Sequence, residues 1–340
     1  MTRLLDSRLP IVAAPMAGGP STVALARAVA SAGGFPFLAG GYKPREALEK
    51  EIAAVRAADI AFGVNLFVPS GESVDEAAFA AYAEELRAEA DAYGLELDPS
   101  PVQDDDGWGE KLALLTEDPV PVVSLTFGLP DRADIAALRR AGTRVIATVT
   151  SPGEARLARE AGVDGLVVQG SQAGGHSAVF DGTRDPESIT TAALVRRVLQ
   201  AVDLPLIAAG GVDGPGAVRE LLEAGAQAVA VGTLLLRTDE AGTSPAHRAA
   251  LGSPSFTQTV LTRVFTGRPA RALRNGFIDR HQAASIDGYP AVHHLTRSLR
   301  AAAGRAGDAD RLHLWAGAGW RSAPTGSAAD AVEWLTSELD

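Results

Sequence analysis

The chain has no cysteine among its 340 residues. This absence excludes disulfide bonds, thiolate metal sites and cysteine nucleophiles together. Any redox chemistry must therefore come from a bound cofactor.

Signals for membranes and nucleic acids are also missing. No apolar run reaches the roughly 18 residues that a membrane span requires, and residues 1–9 lack the apolar core of a signal peptide. The net charge of −11 offers no basic face for nucleic acid or an anionic membrane. We expect a cytoplasmic protein whose partners are small molecules, with no nucleic acid and no membrane, and the sequence leaves a homodimer open.

The chain does contain a regular alternation of apolar strand patterns and helical patterns. With 46% hydrophobic residues, 36 glycines and 20 prolines, the composition is typical of an α/β protein rich in turns. No dinucleotide-binding fingerprint follows the first strand, and eight strands separated by helices predict a parallel (β/α)₈ TIM barrel over residues 1–240. The predicted strands cover residues 11–16, 35–39, 61–67, 120–127, 144–149, 165–169, 205–209 and 228–233.

Two stretches depart from the alternation. Residues 94–119, after a long helix predicted at 74–93, are acidic, and we expect a solvated insertion with one short helix at 108–116; a divalent-metal site is the less favoured alternative. Residues 241–340 are expected to form a helical extension packed on the barrel mouth, with helices at 245–251 and 257–265.

Polar and glycine residues gather where the predicted strands end. Barrels of this class place their chemistry in the loops that follow the strands, so these residues should share one rim. They are Pro15, Met16, Asn65, Thr126, residues 148–150 and 169–176, Gly210, Gly211, Gly232 and Thr233.

Residues 165–176 are the most informative of these stretches. A buried strand ends at Gln169 and is followed by three glycines and His176. Glycine allows a close approach of the main chain to a ligand, and imidazole moves protons near neutral pH. A tight turn followed by a surface histidine is the alternative.

Gly210-Gly211 and Gly232-Thr233 follow the last two strands, where bare backbone N–H groups favour an anion such as a phosphate. Two ordinary turns are the alternative.

The remaining histidines are weaker candidates for a functional role. His293 and His294 are adjacent, so a shared metal is not expected. His247, His281 and His313 are interpreted as surface groups, while Tyr42, Lys43 and Tyr289 have the reach to approach the mouth.

As a set, the motifs Ala14-Pro15-Met16, Gly63-Val64-Asn65, Gln169 with Ala173-Gly174-Gly175-His176, Ala209-Gly210-Gly211, Gly232-Thr233 and Thr266-Gly267-Arg268-Pro269 resemble the nitronate monooxygenases, formerly 2-nitropropane dioxygenases. The resemblance covers residues 11–277. It implies a barrel that holds FMN noncovalently and oxidises alkyl nitronates with O₂ to a carbonyl compound and nitrite.

The resemblance also implies roles for single residues. It places Ala14, Pro15 and Met16 against the flavin ring, makes Asn65 and Gln169 its polar contacts, and brings Gly174, with its neighbour Gly175, close to the flavin. Gly210, Gly211, Gly232 and Thr233 would hold the phosphate. His176 would face the substrate, binding a nitronate and deprotonating a neutral nitroalkane; no metal is implied.

Two residues depart from the family pattern. Gln172 stands where glutamate is frequent, and Ala178 where glycine is common, so the substrate pocket is expected to differ. Two other functions stay open: an NAD(P)H-dependent flavin reductase of quinones or enoyl thioesters, and a flavin-free barrel that binds a sugar phosphate as an isomerase or sensor.

Overall fold

A computed structural model describes residues 4–339 apart from 70, 72 and 73, so residues 1–3 of the N-terminal segment lie outside it. Eight parallel strands form a closed barrel, which confirms the predicted fold class. The first strand, paired with the second and the last, closes the cylinder. The barrel strands in spatial order are β1 (Ile11–Ala13), β2 (Phe35–Ala39), β3 (Gly63–Phe67), β4 (Val122–Thr126), β5 (Arg144–Val149), β6 (Gly165–Gln169), β8 (Leu206–Ala209) and β9 (Ala228–Val231).

Strand side chains alternate between two cores. One set, including Val12, Phe37 and Ile207, points into the barrel. The other, including Val64 and Leu166, packs outward on the helices. Because side chains alternate with a period of two, the inward positions continue upward to the rim.

In the part of the chain that the structure describes, eight helices surround the strands. Side-chain caps begin two of them, since the Thr22 hydroxyl accepts from the backbone N–H of Leu25 and Ser151 accepts from that of Glu154. The helices of the ring are α1 (Val23–Ser31), α2 (Arg45–Arg56), α5 (Trp108–Glu117), α6 (Arg132–Arg140), α7 (Pro152–Ala161), α8 (Thr191–Ala201), α9 (Pro215–Glu223) and α13 (Ala328–Leu335).

The segment between β3 and β4 is arranged differently from the prediction. The short helix α5 takes the ring position between α2 and α6. The long predicted helix is two helices, α3 (Glu76–Glu85) and α4 (Arg87–Asp91), which pack against the C-terminal part of the chain. The acidic stretch is also less solvated than predicted, because Lys111 is buried and pairs with Asp106 at 2.8 Å.

The C-terminal part does not follow the expected boundary at residue 240. Helix α13 returns to the ring and packs against α1 and α9, so the chain leaves the barrel after β9 and rejoins it. The excursion contains α10 (Pro245–Gly252), α11 (Gly276–His281) and α12 (Ala291–Ala306).

The prediction of a helix at 257–265 is wrong, because residues Thr259–Thr262 form strand β10, which pairs antiparallel with β11 (Ala270–Leu273). Four residues of β-branched and apolar type do not distinguish helix from strand without their partner. Strand β11 also pairs with the two-residue strand β7 (Gly175–His176). The His176 loop is therefore hydrogen-bonded to the excursion.

Glu89 connects α4 to α11 through hydrogen bonds of its side chain. Its buried carboxylate accepts hydrogen bonds from Arg280 at 2.6 Å, His281 at 2.9 Å and Arg311 at 2.5 Å. Burial favours the neutral acid, but these donors outweigh it and lower the pKa of Glu89 to about 2. The folded-state pKa is depressed, so the stabilisation is present above the unfolded pKa of about 4.3 and is lost as pH falls toward 2.

We therefore expect Glu89→Gln to destabilise the protein by about 3 kcal/mol at pH 7, because it leaves cationic partners without their carboxylate. Denaturant unfolding at pH 7 and pH 3 measures the effect, and the difference from wild type should shrink at pH 3. Glu84→Gln is the control, since it removes an exposed pair with Arg87 and should cost less than about 1 kcal/mol. Equal losses for the two variants would contradict the assignment.

Candidate functional site

A cavity of about 430 Å³ lies at the carboxyl ends of the barrel strands. This volume is within the range of small-molecule and cofactor sites. The twelve residues to which the resemblance gives a role all line it, so the structure brings them together at one rim. They are Ala14, Pro15, Met16, Asn65, Gln169, Gly174, Gly175, His176, Gly210, Gly211, Gly232 and Thr233.

The ends of β8 and β9 present bare backbone to this cavity. The N–H groups of Gly211, Gly232 and Thr233 have no hydrogen-bond acceptor in the part of the chain that the structure describes. A Cβ on Gly232 would lie 3.5 Å from Met16 Sδ and 3.6 Å from Ala14 Cβ, between two residues that line the cavity. Free N–H groups around such an open position are suited to an anion.

Apart from the cavity that they line, steric contacts also require glycine at positions 174 and 211. A Cβ on Gly174 would lie 2.4 Å from the backbone N of Gly317, so the loop after β6 packs directly on the excursion. Gly211 has φ +81°, and a Cβ there would meet the Gln172 amide oxygen at 2.5 Å. Of the two departures from the family pattern, Gln172 therefore lines the cavity beside Gly211, while Ala178 is buried outside the lining.

Asn65 is fixed by its neighbours on β4. Its Nδ2 donates to Ser124 Oγ at 2.8 Å and to Thr126 Oγ1 at 2.9 Å, and the residue is buried. Both acceptors stand on inward-facing positions of the next strand. The amide orientation is therefore set before any ligand binds.

Gln169 holds its own loop. The side-chain oxygen accepts from the backbone N–H of Ala178 at 2.8 Å, and Nε2 donates to the carbonyl of His176 at 3.2 Å. These two bonds brace the segment that carries the histidine.

His176 lies in an aromatic box. Its ring meets Phe127, Tyr289 and Trp315 at centroid distances of 5.6, 5.6 and 5.5 Å. Burial, with smaller contributions from the positive charges of Arg268 and Arg300, lowers the pKa of His176 to about 3. The imidazole is therefore neutral at pH 7.

Thr266 sets the tautomer of this imidazole. His176 Nε2 lies 2.9 Å from Thr266 Oγ1, and that hydroxyl donates to the carbonyl of Arg268 at 3.4 Å. Because the hydroxyl hydrogen is used there, we infer that Nε2 carries the ring proton and donates it to Thr266. Nδ1 then holds a lone pair and has no partner among the described residues.

The interpretation of three histidines as surface groups is wrong. His281 is buried between Glu85 and Glu89, and His247 is buried with Nε2 3.0 Å from the carbonyl of Trp315. His313 lines the cavity with His247, and burial lowers the pKa of both, that of His247 to about 4. The sequence around these residues is not periodic enough to show that the excursion folds over the barrel.

Tyr42 approaches the mouth, as expected. Its hydroxyl lies 3.2 Å from that of Tyr289, and its ring stacks on His293 at 4.1 Å. Burial raises the pKa of Tyr42 to about 12, so both phenols stay protonated at neutral pH. Lys43, by contrast, pairs with Glu51 at 2.7 Å and does not line the cavity.

The acidic stretch supports this corner of the site. Asp106 accepts from the backbone N–H of Tyr42 at 2.9 Å, and Asp104 pairs with His294 at 2.6 Å. Within the described ranges, no three histidine or carboxylate side chains form a metal-binding group. Over the same residues, no helix combines the length and apolar character needed to cross a bilayer.

Comparisons with known proteins agree with this geometry. A family model described as nitronate monooxygenase matches residues 2–338. A probable nitronate monooxygenase of Staphylococcus saprophyticus is 35% identical over 323 residues, covering 93% of this chain and 90% of that protein.

Solved structures give the same picture. Nitroalkane oxidase from Streptomyces ansochromogenes superposes with a TM-score of 0.94 at 47% identity, covering 98% of this chain and 96% of its own. FabK from Thermotoga maritima has a TM-score of 0.76 at 26% identity, with 99% and 94% covered. With a family match over nearly the whole chain and such relatives along its length, this protein belongs to the nitronate monooxygenase family and is an oxidoreductase of that type.

Proposed function

We propose that this enzyme binds FMN in the cavity and uses it to oxidise alkyl nitronates with O₂ to a carbonyl compound and nitrite. The observation that carries the proposal is the pairing, in one cavity, of free backbone N–H groups at Gly211, Gly232 and Thr233 with a neutral imidazole at His176. The first feature suits an anionic phosphate and the second suits the reacting end of a substrate.

The residues present fit this cofactor. The phosphate would bind the N–H groups at the ends of β8 and β9, where a Cβ at position 232 would occupy the approach. Ala14, Pro15 and Met16 offer an apolar wall for a flat ring, and Asn65 and Gln169 offer amides. When bound, a flavin supplies electron transfer to O₂, which no side chain here performs.

The state of His176 favours a preformed nitronate over a neutral nitroalkane. A nitronate is already ionised and needs no base. A neutral nitroalkane must lose a proton to His176 Nδ1, and an imidazole whose pKa lies at about 3 accepts protons weakly. We therefore propose that nitronates are the better substrates and that nitroalkanes react more slowly.

Anaerobic mixing of the purified holoenzyme with single reductants tests the proposal. We expect the oxidised flavin spectrum to persist with NADH or NADPH and to bleach when an alkyl nitronate is added, with nitrite formed after O₂ is admitted. Rapid bleaching by a nicotinamide without reaction of the nitronate would favour a reductase of quinones or enoyl thioesters. A colourless protein without releasable FMN would favour a phosphate-binding isomerase or sensor.

Thr266→Val is expected to lower kcat for a neutral nitroalkane about 10-fold, because the imidazole loses the acceptor that fixes its tautomer. Turnover of a preformed nitronate should change less than about 3-fold, since it needs no proton transfer. Steady-state kinetics on both substrates measures the difference, and ¹⁵N NMR of the imidazole reports the tautomer.

Thr266→Ser keeps the hydroxyl and is the matched control. It should restore both the nitroalkane rate and the tautomer signal. An unchanged tautomer in Thr266→Val would show that another group orients the ring.

A further inference from the structure

Arg300, on α12, lines the cavity with a buried guanidinium. Its Nε donates to Thr296 Oγ1 at 3.0 Å, and Nη2 donates to the carbonyl and Nδ1 of His293 at 2.9 and 3.1 Å. Nη1 has no acceptor within the described chain. Thus three contacts fix the plane of the guanidinium and leave one nitrogen for a ligand.

No carboxylate of the described residues forms an ion pair with Arg300. The contrast is with Arg280 and Arg311, which also lie at the excursion and both pair with Glu89. A buried, unpaired charge is costly, and proteins normally place an opposite charge beside it. Burial lowers the pKa of Arg300 to about 10, which still leaves it charged at pH 7.

The cavity therefore carries one uncompensated positive charge. Among the residues that the structure describes, Arg300 is the only one in the lining with a formal charge at pH 7, because none of the others is Asp, Glu or Lys and the histidines there are neutral. Its charge contributes to keeping the imidazoles of His176 and His313 neutral. An anion that enters this space meets a fixed guanidinium and a neutral imidazole.

We propose that Arg300 binds an oxygen of the substrate's nitronate group through Nη1 and holds its carbon end toward His176. This inference rests on the proposed function. A cationic N–H donor matches an anionic oxygen acceptor, and Thr296 and His293 hold the guanidinium in place before the ligand arrives. Recognition of the negative charge, rather than of the alkyl chain, makes Arg300 the residue that selects the ionised substrate over the neutral one.

Nitrate is a suitable probe because it is planar, singly charged and not turned over. Calorimetric titration of the purified holoenzyme with nitrate is compared for wild type, Arg300→Met and Arg300→Lys. Arg297→Met is the matched control, since Arg297 lies on the same helix but is exposed. We expect the Kd for nitrate to rise at least 10-fold in Arg300→Met, to rise less in Arg300→Lys, and to stay unchanged in Arg297→Met.

Kinetics on two substrates completes the test. In Arg300→Met, KM for a nitronate should rise by the same factor as the Kd for nitrate, while KM for a neutral nitroalkane changes less than about 3-fold because no charge is recognised. If Arg300→Met does not fold, judged by its thermal transition, Arg300→Lys carries the comparison, because its ammonium lacks the planar group that Thr296 and His293 hold in place.

Two results would overturn the inference. One is an unchanged Kd for nitrate and KM for nitronate in both Arg300 variants. The other is a loss of bound FMN with nitrate affinity intact, which would assign Arg300 to the cofactor. The nitrate titration needs no turnover, so Arg300-dependent binding in a protein that fails to oxidise nitronates would sink the proposed function and leave the anion site standing.

Discussion

Gly232→Val is expected to weaken FMN binding about 100-fold, equivalent to about 2.7 kcal/mol, while the protein still folds. The first added carbon would make only ordinary contacts, 3.5 Å from Met16 Sδ and 3.6 Å from Ala14 Cβ. It would, however, stand where the proposed phosphate must approach the N–H groups of residues 232 and 233. Equilibrium titration of the apoprotein with FMN, followed by flavin fluorescence, measures the loss.

Gly232→Ala should give an intermediate loss, because it adds one carbon instead of three. Gly109→Ala is the control, since nothing lies within 4 Å of a Cβ at that helical position and its FMN affinity should equal that of wild type. A Gly232→Val protein that folds and binds FMN normally would mean that the phosphate lies elsewhere.

His176→Asn is expected to reduce kcat/KM for a neutral nitroalkane about 100- to 1,000-fold, because general-base catalysis contributes factors of this order. The same variant should lose less than about 10-fold on the corresponding preformed nitronate. Asparagine keeps a polar side chain that donates a hydrogen bond but has no basic nitrogen. When both substrates are assayed on the same variant, each one therefore serves as the control for the other.

The ratio of the two losses decides the role of His176. Stopped-flow measurement of flavin reduction under anaerobic conditions gives the ratio for the chemical step alone. Equal losses on nitronate and nitroalkane would sink the base role and leave His176 as a binding residue.

The barrel and its rim follow from local sequence. Short apolar runs predict strands. Because side chains alternate between the two faces of a strand, Asn65 points inward like Gly63, and Gln169 points inward like Val167. Since parallel strands end at one edge, residues far apart in sequence are predicted to meet there.

The excursion could not be predicted in the same way. Strand β10 exists because β11 pairs with it, and β11 is also the partner of the strand that carries His176. The second of these pairings joins distant segments, and a four-residue pattern does not encode its partner in either case. Likewise Arg300 is one arginine among many in the sequence, and its place in the cavity appears only when α12 packs over the rim.

Helix α5 shows the same limit on the other side of the barrel. Its acidic surroundings resemble a solvated loop, yet its apolar residues Leu114 and Leu115 fill the main core. Of the two helical patterns predicted between β3 and β4, the one at 74–93 is the longer. Tertiary packing instead places α3 and α4 with the C-terminal excursion.

A crystal structure of the enzyme with FMN tests the central claim most directly. We expect the phosphate within about 3 Å of the backbone N–H groups of Gly211, Gly232 and Thr233, with the flavin ring between Met16 and Asn65 and facing His176. A phosphate held at another part of the molecule, or a ring turned away from His176, would contradict it.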